Sequence, residues 1–206
     1  MESKTILVFG DSIVSDEQLD FDNWVTKLRK FMNEKEENSV FNLGICGETS
    51  RGLLERMDVE CKAREPDVII IRTGGNDSRY NNKIEDSVET SIDKFEENIM
   101  KIIKICKKYS NKIIWVGEIP CDESKTMPTI WSPTEYFTNK SIKKYNDAIK
   151  EICKKEKVLF LELFDEWIKK DYKKWLDGED GMHPNPKGYE IIFKGVRDFL
   201  IRQKII

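Results

Sequence analysis

The amino-acid sequence predicts an α/β fold in which a parallel sheet lies between two layers of helices. Five short apolar segments rich in β-branched residues recur along the 206-residue chain, and amphipathic helical patterns separate them. The apolar segments are nearly continuous rather than alternating, which is typical of strands buried on both faces. Right-handed β-α-β crossovers would then place helices on both sides of the sheet.

The elements follow one another in regular order. The apolar segments predict strands at residues 5–9, 40–43, 68–72, 113–116 and 158–161. Apolar residues at steps of three or four predict the helices between and after them. These helical patterns cover residues 24–32, 53–61, 88–106, 142–153 and 189–200.

Five strands alternating with five helices predict one domain over residues 1–206, with a flavodoxin-like sheet in the strand order 2-1-3-4-5. In such a sheet ligands bind outside the carboxyl ends of the strands, at the switch point between strands 1 and 3. We therefore expect the chemistry in the loops after strands 1, 2 and 3. The long irregular stretch 118–138, which contains Trp131, is a candidate wall for a substrate.

Composition argues against several classes of protein. The 35 basic and 38 acidic residues give a formal net charge of -3 and are mixed locally, so no nucleic-acid face is expected. The N-terminal residues carry no leader pattern and no segment is apolar enough to span a membrane, which predicts a cytoplasmic protein without a membrane partner.

Cysteine and histidine usage argues against a metal site. The five cysteines show no C-x-x-C spacing, and the chain has one histidine, so we expect no bound metal. Cys106 and Cys153 fall on apolar faces of predicted helices, where a packed thiol is the expected state.

The first candidate for chemistry is a serine at the end of strand 1. Gly10-Asp11-Ser12 places Ser12 where the chain turns out of the sheet, which is a suitable position for a nucleophile. The alternative is that Ser12 or Asp11 only accepts a backbone hydrogen bond in a turn or helix cap.

Two glycine-containing turns follow strands 2 and 3. Gly44 and Gly47 follow strand 2, and Asn76 lies in the turn after strand 3. Glycine allows close approach of the backbone, so the Gly44 N–H and the Asn76 amide could face a substrate oxygen. Alternatively, the glycines only permit tight turns. Thr49 or Ser50 is expected to cap the second helix.

The only histidine follows an aspartate by three residues, just before the last helix. Asp180 can reach Nδ1 of His183 within one turn and leave Nε2 free to take a serine proton. Asp177 is a less favoured alternative partner. Strand 5 lies roughly 14 Å from strand 1, and the connection before Asp180 can span about 50 Å, so His183 can reach Ser12.

Four groups of residues resemble, in order, the four sequence blocks of the SGNH hydrolases, also called GDSL esterases. They are Gly10-Asp11-Ser12, Gly44, Gly74-x-Asn76-Asp77 and Asp180-x-x-His183-Pro184. The resemblance spans nearly the whole chain and implies a flavodoxin-like fold with metal-independent ester hydrolysis. Ile13 stands where leucine gives the GDSL group its name, so an apolar residue is kept.

The resemblance also implies roles for individual residues. Ser12 would be the nucleophile, His183 the general base and then acid, and Asp180 the residue that orients His183. The oxyanion hole would be the Ser12 N–H, the Gly44 N–H and the Asn76 side chain. Asp11 and Trp131 are expected to contact the substrate.

The sequence therefore predicts a serine esterase for small-molecule esters that needs no cofactor. Esters of short acyl groups, such as the acetyl esters of carbohydrates, are the expected substrates. A lysophospholipase or a thioesterase of the same chemistry is an alternative. A phosphate- or nucleotide-binding protein is the alternative from another class of function. The two glycine-rich motifs that bind phosphate, G-x-x-x-x-G-K-S/T and G-x-G-x-x-G, do not occur in the sequence.

Overall fold

A computed structural model describes residues 3–17, 19–34 and 38–206. Residues 1, 2, 18 and 35–37 of the predicted domain lie outside the described residues. In chain order the strands of the described part are β1 (Thr5–Gly10), β2 (Ser39–Gly44), β3 (Val68–Arg72), β4 (Tyr80–Asn81), β5 (Ser87–Val88), β6 (Ile113–Val116), β7 (Glu135–Tyr136) and β8 (Leu159–Leu161).

The main sheet has five parallel strands in the order β2-β1-β3-β6-β8. When its strands are numbered along the chain, this is the predicted order 2-1-3-4-5, which is therefore confirmed. The ends of the first three strands are aligned, with Gly10 opposite both Gly44 and Arg72. The loops that leave these strands consequently meet at one edge of the sheet.

The helices are α1 (Trp24–Met32), α2 (Ser50–Arg64), α3 (Ile92–Tyr109), α4 (Asn139–Glu156), α5 (Phe164–Ile168) and α6 (Pro186–Arg202). Side chains define several of their starts. Asn23, Thr138 and Asn185 accept hydrogen bonds from backbone N–H groups in the first turns of α1, α4 and α6. These bonds satisfy donors that have no partner within the helix.

The two faces of the sheet are covered by separate apolar cores. Because successive side chains of a strand point to opposite faces, Ile6 and Val8 of β1 pack in a core with residues of α1 and α6. Leu7 and Phe9 pack on the other face with residues of α2, α3 and α4. The three-layer arrangement predicted from the sequence is therefore confirmed.

One helix begins later than its pattern predicts. The apolar spacing included Val88 in the third helix, but α3 starts at Ile92 and Val88 pairs with Tyr80 in a small antiparallel sheet. This sheet has the order β5-β4-β7, and β7 comes from the irregular stretch 118–138. A step of four residues fits a helix, but two-residue strands leave no periodic signal.

Cys106 and Cys153 are fully buried in the core that contains α3 and α4. Burial raises the pKa of Cys153 to about 12 and raises the pKa of Cys106 as well. The expectation of packed thiols is confirmed. No helix in the described ranges has both the length and the apolar character needed to cross a membrane.

Candidate active site

A cleft of about 600 Å³ opens at the carboxyl edge of the main sheet. Residues from five separate parts of the chain line it, including Ser12, Gly47, Asn76, Trp131 and His183. The cleft therefore lies where the predicted strand order placed a ligand.

Ser12 lies in a tight turn directly after β1. Asp11 Oδ1 accepts a hydrogen bond of 3.0 Å from the Ile13 N–H, so Ser12 is the central residue of a loop closed by the Asp11 side chain. The Asp11 carbonyl also accepts bonds of 3.0 Å from the N–H groups of Val14 and Ser15. A Cβ on Gly10 would overlap the Arg72 carbonyl oxygen, so the turn requires glycine there.

Ser12, His183 and Asp180 form a continuous hydrogen-bonded chain. Ser12 Oγ lies 2.8 Å from His183 Nε2, and His183 Nδ1 lies 2.7 Å from Asp180 Oδ2. Asp180 Oδ1 accepts the N–H groups of Met182 at 2.7 Å and of His183 at 2.9 Å. Partial burial acts to raise the pKa of Asp180, but these hydrogen bonds and the imidazole outweigh it, so the pKa lies below its ordinary value.

Asp177 orders the loop rather than binding the imidazole. Its Oδ1 accepts the N–H groups of Glu179 at 2.8 Å and Asp180 at 3.2 Å, and its own N–H donates to the His183 carbonyl at 2.7 Å. Gly181 has a φ of +65°, which lets the chain reverse between the aspartate and the histidine. The structure therefore places Asp180, and not Asp177, beside His183.

Gly44 does not offer its N–H to the cleft. That N–H donates to Asn42 Oδ1 at 3.0 Å, and Gly44 is not among the described residues that line the cleft. A Cβ at Gly44 would overlap the Ser15 backbone, so the glycine is needed for close packing. The prediction that Gly44 donates to an oxyanion is therefore wrong.

Gly47, and not Gly44, is the glycine of this loop that lies in the cleft. It lines the cleft, has a φ of +75°, and a Cβ built on it would meet no atom within 4 Å. Within the described residues, no hydrogen bond uses the N–H of Gly47 or of Ser12. Both donors are consequently available to a ligand. Sequence reasoning noted Gly47 only as a turn residue.

Asn76 begins a short 3₁₀ turn after β3 and lines the same cleft. Its Nδ2 donates to the Glu48 carbonyl at 3.1 Å, which fixes the amide next to the loop of Gly47. An amide nitrogen carries two hydrogens, so the second N–H can serve a ligand.

The loops of Gly47 and Asn76 are joined by a buried carboxylate. Asp77 accepts the Ser50 N–H at 2.8 Å and the Ser50 hydroxyl at 2.6 Å, and thus caps α2 from the neighbouring loop. Thr49 precedes the helix but makes no capping bond with the described residues. The expectation that Thr49 or Ser50 caps α2 is therefore wrong, because the cap comes from a residue distant in sequence.

Asp11 does not reach the cleft. Only 3% of the residue is exposed, and Arg72 Nη1 lies 2.8 Å and 2.9 Å from its two carboxylate oxygens. It lies outside the described lining of the cleft. The prediction that Asp11 contacts a substrate is contradicted, because both of its oxygens are taken up inside the protein.

Trp131 forms part of the wall beside the imidazole. It is 47% exposed, and its ring centroid lies 5.9 Å from that of His183. Trp131 Nε1 donates to Glu135 Oε2 at 2.9 Å, and Arg79 Nη1 contacts Glu135 Oε1 at 3.2 Å. Arg79 thus supports this wall. Among the described residues, no group of three or more His, Cys, Asp or Glu is arranged to hold a metal ion.

A sequence profile of the GDSL-like Lipase/Acylhydrolase family matches residues 8–191, which includes Ser12 and His183. The chain belongs to this family. As a member of it, the protein is an ester hydrolase. The match extends over most of the main sheet and its helices, in agreement with the resemblance of the four sequence blocks.

Two similar proteins are distant in sequence. The uncharacterized lipoprotein YqeF of Bacillus subtilis is 23% identical over a gapped alignment of 222 positions, which covers 97% of this chain and 90% of the relative. The GDSL esterase/lipase CPRD49 of Arabidopsis thaliana is 28% identical over 197 residues, covering 91% of this chain and 75% of that protein.

Solved structures share the fold. An acetylxylan esterase, Axe2 from Geobacillus stearothermophilus, superposes with a TM-score of 0.74 at 21% identity, covering 97% of this chain and 94% of the other. The esterase EstA from Pseudoalteromonas sp. gives a TM-score of 0.72 at 22% identity, with coverage of 99% and 100%. The fold of this family member is therefore the one found in known esterases.

Proposed function

We propose that the protein is a serine esterase in which Ser12, His183 and Asp180 form the catalytic triad. The observation that carries the proposal is the 2.8 Å contact between Ser12 Oγ and His183 Nε2, with Asp180 bound to the other ring nitrogen. A histidine held in this way can take a proton from a serine hydroxyl. The alternative of a phosphate- or nucleotide-binding protein is set aside, because the chain belongs to a hydrolase family.

The reaction follows from this arrangement. His183 Nε2 accepts the Ser12 proton while Oγ attacks the ester carbonyl, and Asp180 keeps the imidazole in the required tautomer. The negative charge on the carbonyl oxygen is stabilised by the N–H groups of Ser12 and Gly47 and by Asn76 Nδ2. The alcohol leaves with the proton from His183, and a water molecule then releases the acyl group from Ser12 by the same steps.

We further propose that the natural substrates are short acyl esters of carbohydrates. The lining of the cleft includes carboxylates at Glu17, Asp20 and Asp177, and these can accept hydrogen bonds from sugar hydroxyls. The partly exposed ring of Trp131 offers a flat apolar face beside the imidazole that protonates the alcohol. The description of Axe2 as an acetyl-xylooligosaccharide esterase supports the same substrate class.

Active-site labelling tests the triad. The wild type, Ser12→Ala and His183→Ala are treated with a fluorophosphonate, and intact mass is measured. Ser124→Ala is a matched control, because Ser124 is an exposed serine whose hydroxyl donates to a carboxylate, Asp122, at 2.8 Å. We expect one adduct on the wild type and the control and none on Ser12→Ala or His183→Ala. An unlabelled but folded wild type would contradict the proposal.

A substrate comparison tests the finer assignment. We expect a higher kcat/KM for 4-nitrophenyl acetate than for the octanoate, and acetate release from acetylated xylo-oligosaccharides. A preference for octanoate, or for lysophospholipid or acyl-thioester substrates, would instead favour a lipase or thioesterase.

The cytoplasmic location stays a prediction. The similarity to a lipoprotein of Bacillus subtilis makes attachment to a membrane the alternative. Cell fractionation of the source organism distinguishes the two.

A further inference from the structure

A buried cluster of three charged residues lies beneath the turn of Ser12. Arg72, at the end of β3, contacts Asp11 through Nη1 at 2.8 Å and Glu118 through Nη2 at 2.7 Å. The three side chains are exposed by only 1%, 4% and 2% in that order. The reaction steps described above do not use any of the three.

One end of the cluster fixes the nucleophile. The Asp11 oxygen that accepts Arg72 Nη1 at 2.8 Å also accepts the Ile13 N–H, and the resulting loop encloses Ser12. The position of the guanidinium therefore determines where the Asp11 carboxylate sits. The carboxylate in turn sets the backbone conformation of Ser12.

The other end lies beneath the turn that leads into Asn76. A Cβ on Gly75 would lie 3.1 Å from Glu118 Oε2, and one on Gly74 would lie 3.4 Å from Oε1, so the carboxylate is in close contact with this turn. The Glu118 N–H donates to Asn146 Oδ1 at 2.8 Å, which anchors its backbone to α4. Glu118 is thus a fixed support for the Asn76 turn.

Stability alone does not account for this cluster. Removing charges from water costs about as much as their attraction returns, so buried ion pairs are weak sources of stability. Burial raises the pKa of Glu118, and the neighbouring Asp11 adds to this, although Arg72 opposes both. The planar guanidinium of Arg72 donates through Nη1 to Asp11 and through Nη2 to Glu118, and so holds the two carboxylates in a fixed relative geometry.

We propose that Arg72 is a positioning residue that holds the Ser12 turn and the Asn76 turn in register, so that nucleophile and oxyanion donor meet the same carbonyl group. This inference rests on the proposed function. Since the groups that it aligns act in the transition state, its loss lowers kcat and leaves KM little changed.

The first test is Arg72→Lys, which keeps the charge but cannot contact both carboxylates through a fork. A misplacement of about 1 Å can cost about 10²-fold in rate, so we expect kcat and the rate of fluorophosphonate labelling to fall by about that factor. Arg64→Lys is the matched control, because Arg64 pairs with Glu60 and is not among the described residues of the cleft. The control is expected to keep the wild-type kcat.

The second test approaches the cluster from Glu118 and does not depend on how Arg72→Lys folds. Glu118→Ala removes the support beneath Gly75 and is expected to lower kcat. Glu118→Gln keeps the shape and an acceptor for Arg72, and is expected to restore most of the wild-type kcat at unchanged KM. Thermal melting and circular dichroism confirm that each variant is folded at the assay temperature.

The outcomes separate this inference from the proposed function. If the wild type is not labelled at Ser12, the proposed function fails and no nucleophile remains to be positioned. If the wild type is labelled but folded Arg72→Lys and Glu118→Ala keep its kcat, only the positioning role is wrong. A rise in KM at constant kcat would also overturn it, because it would indicate a role in substrate binding.

Discussion

At the scale of single residues, Ser12 and His183 are 171 positions apart in the chain, yet Ser12 Oγ and His183 Nε2 lie 2.8 Å apart. Each is placed by its own local turn, Ser12 by the Asp11 side chain and His183 by two bonds to Asp180 Oδ1 and Oδ2. The proposed chemistry therefore depends on two turns, each held by its own hydrogen bonds.

Removing the nucleophile and removing an oxyanion donor have different costs. Loss of a triad nucleophile costs on the order of 10⁴ to 10⁶ in rate, whereas loss of one oxyanion donor costs about 10² to 10³. We expect Ser12→Ala to abolish turnover and Asn76→Ala to leave a measurable remnant, as followed by hydrolysis of 4-nitrophenyl acetate. Equal residual activities in the two variants would contradict this division of roles.

At the scale of secondary-structure elements, α2 is tied to the site at its first turn. Asp77 caps it from the loop after β3, and Asn98 Nδ2 of α3 donates to the Ser50 hydroxyl at 3.0 Å. Burial raises the pKa of Asp77, with the bonds from Ser50 opposing that effect. The helix start, the loop of Gly47 and the turn of Asn76 thus form one connected unit.

Because of this connection, we expect Asp77→Ala and Thr49→Ala to change the free energy of unfolding by different amounts. Asp77→Ala leaves the buried Ser50 N–H and hydroxyl without their acceptor, and we expect it to lower the free energy of unfolding by roughly 1–3 kcal/mol. Thr49→Ala removes a side chain that makes no capping bond with the described residues, and it should change stability little. Urea unfolding monitored by circular dichroism measures both, and equal losses would show that Asp77 does not cap α2.

At the scale of the whole molecule, the charged cluster that joins β1, β3 and the end of β6 makes the free energy of unfolding depend on pH. Burial is the main cause that raises the pKa of Glu118 to about 7, with Arg72 opposing it and Asp11 and Asp77 adding to it. A carboxyl group whose pKa is raised in the folded state adds to the free energy of unfolding, and this contribution is fully present at pH values below the pKa of the group in the unfolded state. That contribution is lost as the pH rises through the folded value.

The expected consequence is a pH-dependent difference between the wild type and Glu118→Gln. Since the amide does not titrate, the variant should gain stability relative to the wild type as the pH rises from 5 to 8. Urea unfolding across this range measures the difference. A constant difference would mean that Glu118 keeps the same charge throughout the range, and Asp67→Asn, which changes an exposed carboxylate at the opposite edge of the sheet, is the control.

The sequence by itself determined the strands, the main helices and the strand order, and it singled out Ser12, Asp180 and His183 as the proposed triad. The strands and helices depend on local signals, namely continuous apolar segments and a period of 3.6 residues. The three site residues were singled out by the four sequence blocks that resemble those of the SGNH hydrolases. The sequence placed the start of α3 and the cap of α2 wrongly, because two-residue strands and caps from distant loops leave no local pattern.

Only the tertiary structure decided which polar groups face the cleft. Gly44 and Gly47 look alike in sequence, but the Asn42 side chain occupies the N–H of the first, while the second lines the cleft. Asp11 stands beside the nucleophile, yet Arg72, from a strand that pairs with β1, holds its carboxylate inside the protein. A hydrogen-bonding group is available to a substrate only where no neighbour brought close by folding has already taken it, and the identity of that neighbour is not encoded locally.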